Sequence, residues 1–170
     1  MKSVTAVLAL LPFLAVAPCL CRAAEPTRQE IGRARSADVM PFDLSATTHV
    51  FTKTSTGGVQ RVVAKDAGNK QQIELIRTHL KDIADEFSRG NYSRPAHVHG
   101  IAMPGLNELQ ASPAGDLKTV YRDITLGAEI RYSSESPKTI AAVHAWFNAQ
   151  LADHGREAMS GHDHSMHHPN

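Results

Sequence analysis

Thiols are nearly missing from this chain. Its 2 cysteines, Cys19 and Cys21, both fall within the first 21 of 170 residues. Charge of one sign is missing too, because 18 Lys and Arg face 17 Asp and Glu, for a formal net charge of +1. That balance offers no electrostatic footprint for nucleic acid or an anionic membrane surface. Several catalytic signatures are also lacking: no Gly-x-Ser-x-Gly elbow, no phosphate-binding Gly-x-x-x-x-Gly-Lys, no dinucleotide fingerprint and no His-Glu-x-x-His helix. What the chain does have in excess is histidine, with 10 residues.

The N-terminus reads as a secretory signal over residues 1–24. Lys2 precedes a mostly apolar run from Val4 to Ala17, and small residues follow at Ala23 and Ala24. The run is shorter than the ~20 residues a membrane span needs. Cleavage there would remove both cysteines, which excludes disulfides, Cys-ligated zinc and thiol nucleophiles from the product. The expected product is periplasmic or secreted, thiol-free, without a membrane span, and keeps every histidine.

Residues 25–40 are polar and lack apolar periodicity, so they read as a flexible leader. A regular pattern begins at Pro41. Thr47–Lys53 and Val59–Lys65 are rich in β-branched residues and flank Thr56-Gly57-Gly58, which predicts a hairpin turning at those three residues. Asn69–Ser88 repeats apolar residues at three and four (Ile73, Ile76, Leu80, Ile83, Ala84, Phe87), the period of a helix ending at Gly90. The order then recurs. Leu117–Asp123 and Leu126–Tyr132 predict a second hairpin, and Ser136-Pro137 opens a helix with Ile140, Val143, Phe147 and Leu151 on one stripe up to Gly155. The two helices align at a constant offset of 67. The expectation is an α+β domain over 41–158: two ββα units forming a four-stranded antiparallel sheet with two helices on one face. A long connection, Asn91–Asp116, separates the units. Residues 159–170 predict a disordered His/Met-rich tail.

Three groups of histidines could carry chemistry. The tail holds His162, His164, Met166, His167 and His168, with Asp163 and Met159 nearby. Imidazole suits copper, zinc and nickel, while thioether sulfur favours Cu(I). In the connection, His97-Val98-His99 after Pro95 would, if extended, direct both imidazoles to one side, and Met103 could bring a thioether round the Pro104-Gly105 turn. On the second helix, His144 and His154 lie on the inward stripe, where a polar ring needs a partner: a metal, a carbonyl or a carboxylate. His49, in the middle of the first strand, poses the same question. His79 sits at the polar border of the first helix and reads as solvated.

Thr48-His49-Val50-Phe51-Thr52, Gly58-Val59-Gln60-Arg61-Val62-Val63, His99-Gly100-x-x-Met103-Pro104-Gly105-Leu106 and His144-Ala145-Trp146-Phe147-x-x-Gln150-Leu151-x-Asp153-His154-Gly155 together resemble a family of small exported bacterial proteins. The likeness runs over residues 40–155. Members are often labelled aspartate carbamoyltransferase, a name these residues do not support: the Ser-Thr-Arg-Thr phosphate loop of that enzyme is missing. The resemblance implies a shared site at His49, His99, Met103, His144 and His154. It need not include His97, and the tail lies outside it.

The sequence therefore predicts a non-enzymatic periplasmic protein that binds copper, with zinc or nickel as other ions its imidazoles could take. Its role would be sequestration, tolerance or delivery, and its partners would be metal ions and other periplasmic metal-handling proteins. A second reading is an interaction module in which the 91–116 connection recognises a small molecule or protein and the tail is incidental. A third, a small transferase or hydrolase, lacks an identifiable nucleophile or acid–base pair.

Overall fold

The computed structural model describes residues 25–36, 39–100 and 102–162. Both hairpins and both long helices form where the residue patterns place them. Strand β1 (Thr47–Thr54) pairs antiparallel with β2 (Gly57–Ala64), and β3 (Lys118–Ile124) pairs antiparallel with β4 (Gly127–Ser133). The first hairpin turns at Ser55-Thr56, not at the glycines, which open β2. Gly58 is needed for packing, because a Cβ there would run into the Phe147 ring.

Helix α2 (Lys70–Ser88) starts where the Asn69 side chain accepts from the Gln72 N–H. Short helices α3 (Ser93–His99) and α4 (Leu106–Gln110) occupy the long connection. Helix α5 (Pro137–His154) begins with Ser136 capping the Thr139 N–H and Pro137 in its first turn, where a missing N–H costs nothing. It stops at Gly155, whose φ of +55° suits glycine.

The sheet differs from the expected four antiparallel strands. It has five strands in the order β3-β4-β2-β1-β5 and is mixed, because β5 (Ala158–Ser160) pairs parallel with β1. The chain returns from α5 through one 3-10 turn at Gly155–Glu157 and lies along the edge that β1 would otherwise expose. Met159 and Ser160, expected in the tail, belong to this strand. A three-residue strand is too short to show a period-two pattern, so it left no readable trace.

One alternate set of strand residues (Phe51, Val62, Ala64, Ala128, Ile130, Tyr132) meets the apolar stripes of α2 and α5 in a single core. On the sheet's other face Glu129 is almost fully buried between two arginines. Arg61 Nε lies 2.5 Å and Arg122 Nε 2.9 Å from its carboxylate oxygens, which ties β2, β4 and β3 together. Burial acts to raise the carboxyl's pKa, but the two guanidiniums prevail and hold it below its usual value.

The 25–40 segment, expected as a flexible leader, carries helix α1 (Arg28–Ser36). Thr27 and Glu30 form a reciprocal cap: the Glu30 N–H donates to Thr27 Oγ1, and the Thr27 N–H donates to Glu30 Oε2 at 2.7 Å. Gln29 Nε2 then donates to the Ala152 carbonyl at 3.0 Å, docking α1 on the end of α5. No helix among the described residues is long and apolar enough to cross a membrane.

Candidate functional site: a buried histidine cluster

Four elements each deliver one histidine to the same place. The alternation of β1 turns His49 to the helix-covered face together with Thr47 and Phe51, and leaves it 2% exposed. His79 comes from the middle of α2, His99 is the last residue of α3, and His154 the last of α5. All four border one cavity of about 40 Å³, enough for an ion or a few water molecules and little more.

The rings touch. His154 stacks on His49 with centroids 4.5 Å apart and planes at 17°, and His99 meets His154 edge-on at 5.4 Å. Phe42 covers the cluster, 6.0 Å from His49 and 5.4 Å from His79. His99 Nδ1 lies 2.9 Å from Asp153 Oδ2, with both side chains buried. A carboxylate facing Nδ1 places a proton on that nitrogen. His49 bonds the main chain of Glu157, and its Nδ1 has no partner.

The electrostatics keep His49, His79 and His154 neutral. Burial, then the proximity of His154 and His79, pushes His49 far below the ordinary imidazole range. Burial and the Arg94 guanidinium bring His79 down to about 4. Burial and His99 do the same to His154, also to about 4. Near pH 7 these three rings are uncharged, the form that binds metals or accepts hydrogen bonds. Three buried polar atoms at this cavity's residues lack partners: His49 Nδ1, His79 Nδ1 and Trp146 Nε1. His99 and His154 also border a second, wider cleft of about 300 Å³ beneath α1, together with Asp153, Glu30 and Arg156. They form the partition between the two spaces.

The structure thus gathers His49, His99 and His154, adds His79, and leaves the other candidates elsewhere. Met103 is 1% exposed in the apolar core and brings no sulfur to the cavity. The reason is Gly105, whose positive φ turns the chain so tightly against Ala142 and Trp146 that Met103 is drawn beneath α5. His97 and His99 do not share a side. The segment is helical, where residues two apart diverge by about 200°, so His97 is exposed while His99 turns inward. Pro95 permits this because it occupies the first turn of α3, where its missing N–H removes no helical bond. Arg94 also pins that turn to α2 through Glu86, at 3.1 Å.

His144 is half-buried on the far half of α5, where its Nε2 bonds the Thr54 and Gly57 carbonyls at 3.0 and 2.8 Å. His162 is exposed just after β5. His164, Met166, His167 and His168 lie outside the described residues. His79, read from the pattern as solvated, is 6% exposed. Its position three after Ile76 and four before Ile83 was the available signal. Asp153, present in the sequence motif, is not among the site residues the pattern predicts. Its adjacency to a helix-terminal histidine gave no hint that it reaches a ring from α3.

As placed, no group of three or more His, Cys, Asp or Glu side chains among the described residues is posed to hold a metal ion. His154 lies stacked on His49, face to face, instead of the two rings pointing their nitrogens at a common point.

Fold and site together define an α+β domain with a mixed five-stranded sheet and a buried imidazole cluster at the end of α5. Comparison of the chain with protein-family models, with curated proteins and with solved structures finds no match.

Proposed function

We propose that this chain is an exported metal-handling protein that takes up a divalent transition-metal ion at the His49–His79–His99–His154 cluster. The observation that carries the reading is the meeting of four imidazoles from four elements on one ion-sized cavity, with Nδ1 of His49 and of His79 unpartnered. Nitrogen and carboxylate donors without sulfur suit Cu(II), Zn(II) or Ni(II), and copper preference in the folded domain is for Cu(II) over Cu(I). Asp153 on His99 Nδ1 is the outer carboxylate that orients and strengthens a metal-binding imidazole. Loading requires His154 to turn out of its stack on His49, so the ion and the stack are alternatives. With the His/Met tail capturing ions near the domain, the role is sequestration or delivery in the periplasm or outside the cell, to metal ions' other carriers there.

The test is competitive titration of the signal-free protein with Cu(II) and Zn(II), alongside His154→Ala and a chain ending at Gly161. The tail-deleted protein is expected to keep one site of micromolar affinity or better, and His154→Ala to lose it. If the tail-deleted protein binds neither ion, the cluster is not a metal site.

One observation favours a second reading. Trp146 Nε1 can only donate a hydrogen bond and cannot ligate a metal, and Leu80, Ile83, Phe87 and Val98 give the cavity an apolar wall. That combination suits a small organic molecule carrying an acceptor oxygen. Quenching of the single tryptophan by such molecules, with no response to metals, would favour it.

A further inference from the structure

We propose that the sheet face turned away from the helices docks an acidic segment of another protein, one in which Asp or Glu is interleaved with apolar residues. The proposal is independent of the metal-handling reading and uses none of the buried cluster's residues.

Three observations carry it. The first is what the outward positions hold. Val62, Ile130 and Tyr132 face α2 and α5, so their neighbours along each strand face the other way. A sheet with one wet face should be polar there. Instead, Val120 on β3 is 59% exposed and Met159, beside Val50 on the edge strand β5, is 54% exposed. They are two of the three large apolar side chains so exposed among the described residues. Apolar surface rimmed by charge marks an interaction site.

The second is charge. Register sets Arg61 and Arg122 on either side of Glu129 in one row, and Val59 and Val120 on either side of Arg131 in the next. Lys118, two residues before Val120, is exposed on the same face. Four cations therefore share this face with Glu129, the single acidic residue at the outward positions of the five strands. The formal net charge of the entire chain is only +1.

The third is the state of the guanidiniums. Arg61 and Arg122 each give only Nε to Glu129, at 2.5 and 2.9 Å. Their terminal nitrogens have no partner among the described residues, and the Arg131 side chain has none at any nitrogen. The buried carboxylate thus holds two guanidiniums in place, partly open to water, with donors to spare. Such forks take up carboxylates two hydrogen bonds at a time.

These features select the occupant. A second copy would bring the same four cations against these across a two-fold axis, and like charges oppose that. None of the outward strand positions is aromatic, so the face has no platform on which nucleic-acid bases could stack. An acidic, partly apolar polypeptide meets both needs, offering carboxylates to the guanidiniums and cover to Val120 and Met159. Arginine and methionine are residues that protein interfaces favour.

The experiment titrates the full signal-free chain with a labelled peptide of alternating Glu and Val, followed by nuclear magnetic resonance and fluorescence anisotropy. Amide shifts are expected along β2, β4 and β3, with binding that weakens as salt rises and screens the charges. Arg131→Glu should weaken binding about tenfold or more, and since that side chain has no partner to lose, the thermal midpoint should stay near wild type. The Arg131→Glu, Lys118→Glu double variant should instead bind a matching Lys and Val peptide. No binding at millimolar Glu/Val peptide, shifts confined to other elements, or equal binding by Arg131→Glu overturns the proposal. Three further arms test the other occupants: an oligothymidylate, phosphatidylglycerol vesicles, and sedimentation of the chain alone. Tighter binding of the first or second than of the peptide, lost in Arg131→Glu, or self-association lost in that variant, also overturns it. The resonance shifts of the unsubstituted chain keep the test decisive should a variant fail to fold.

Discussion

Asp153 is the residue on which the candidate site turns. Its carboxylate reaches across from the end of α5 to fix the ring of His99, which comes from a different helix. Asp153→Asn keeps the size but removes the charge that strengthens the imidazole. Under the metal reading its affinity for Zn(II) or Cu(II) at the cluster should fall about 10- to 100-fold, the usual effect of losing such an outer partner. Titration beside wild type checks this, and an unchanged affinity would show that His99 is not a ligand. Residue identity alone disclosed part of the site. His49 and His154 stood out because polar rings at inward positions of a strand and a helix demand partners. His79 did not, because a border position on a helical stripe reads the same whether the next element covers it or leaves it to water. Here Phe42, which precedes the first strand, does the covering.

At the scale of elements, the four hairpin strands and the two long helices were legible within a residue or two, since period and capping residues announced them. The connection was not. Its Pro95 and Gly105 suggested an extended path, yet α3 and α4 both form. Proline is compatible with a helix's first turn as well as with extension, and only the Arg94 anchor on α2 decides between them. Helix α1 had a readable cap in Thr27-x-x-Glu30, but no apolar stripe to support it.

Gly105 is the element-scale test. Its φ is +82°, and a Cβ would collide with the Ala142 carbonyl and lie 2.5 Å from the Trp146 nitrogen. Gly105→Ala combines left-handed strain with overpacking and should cost about 2–4 kcal/mol. Chemical denaturation measures it. The far-UV spectrum of the folded fraction should change little, since only the five-residue α4 starts at that residue.

At the scale of the whole molecule, the buried imidazoles couple stability to acidity. Their folded pKa values lie below the unfolded value near 6.5, at about 4 for His79 and His154 and lower in direction for His49. Between those limits the unfolded chain binds protons that the native state refuses, so stability falls as pH drops from about 6.5 toward 4. Each such group contributes up to about 1.4 kcal/mol per pH unit across its window. Acid denaturation should therefore begin well above the carboxylate range, and substituting His154 and His79 by Gln should flatten the loss between pH 6 and 4. Trp146, the single tryptophan, borders the cluster and reports the change by fluorescence.

The parallel strand β5 sets an order of assembly. It pairs position 158 with position 49, so one wall of the histidine cluster closes only after nearly the whole chain is available. The two hairpins and α2 need only local contacts and can form early, whereas a pairing of such long sequence separation bears a loop-closure cost that must be met first. A chain threaded unfolded through a narrow export channel, N-terminus first, would emerge with His49 and His79 already outside and His154 among the last residues to follow. Under the proposed export reading, the cluster would then form only after that passage, and its ligand would be acquired where folding finishes.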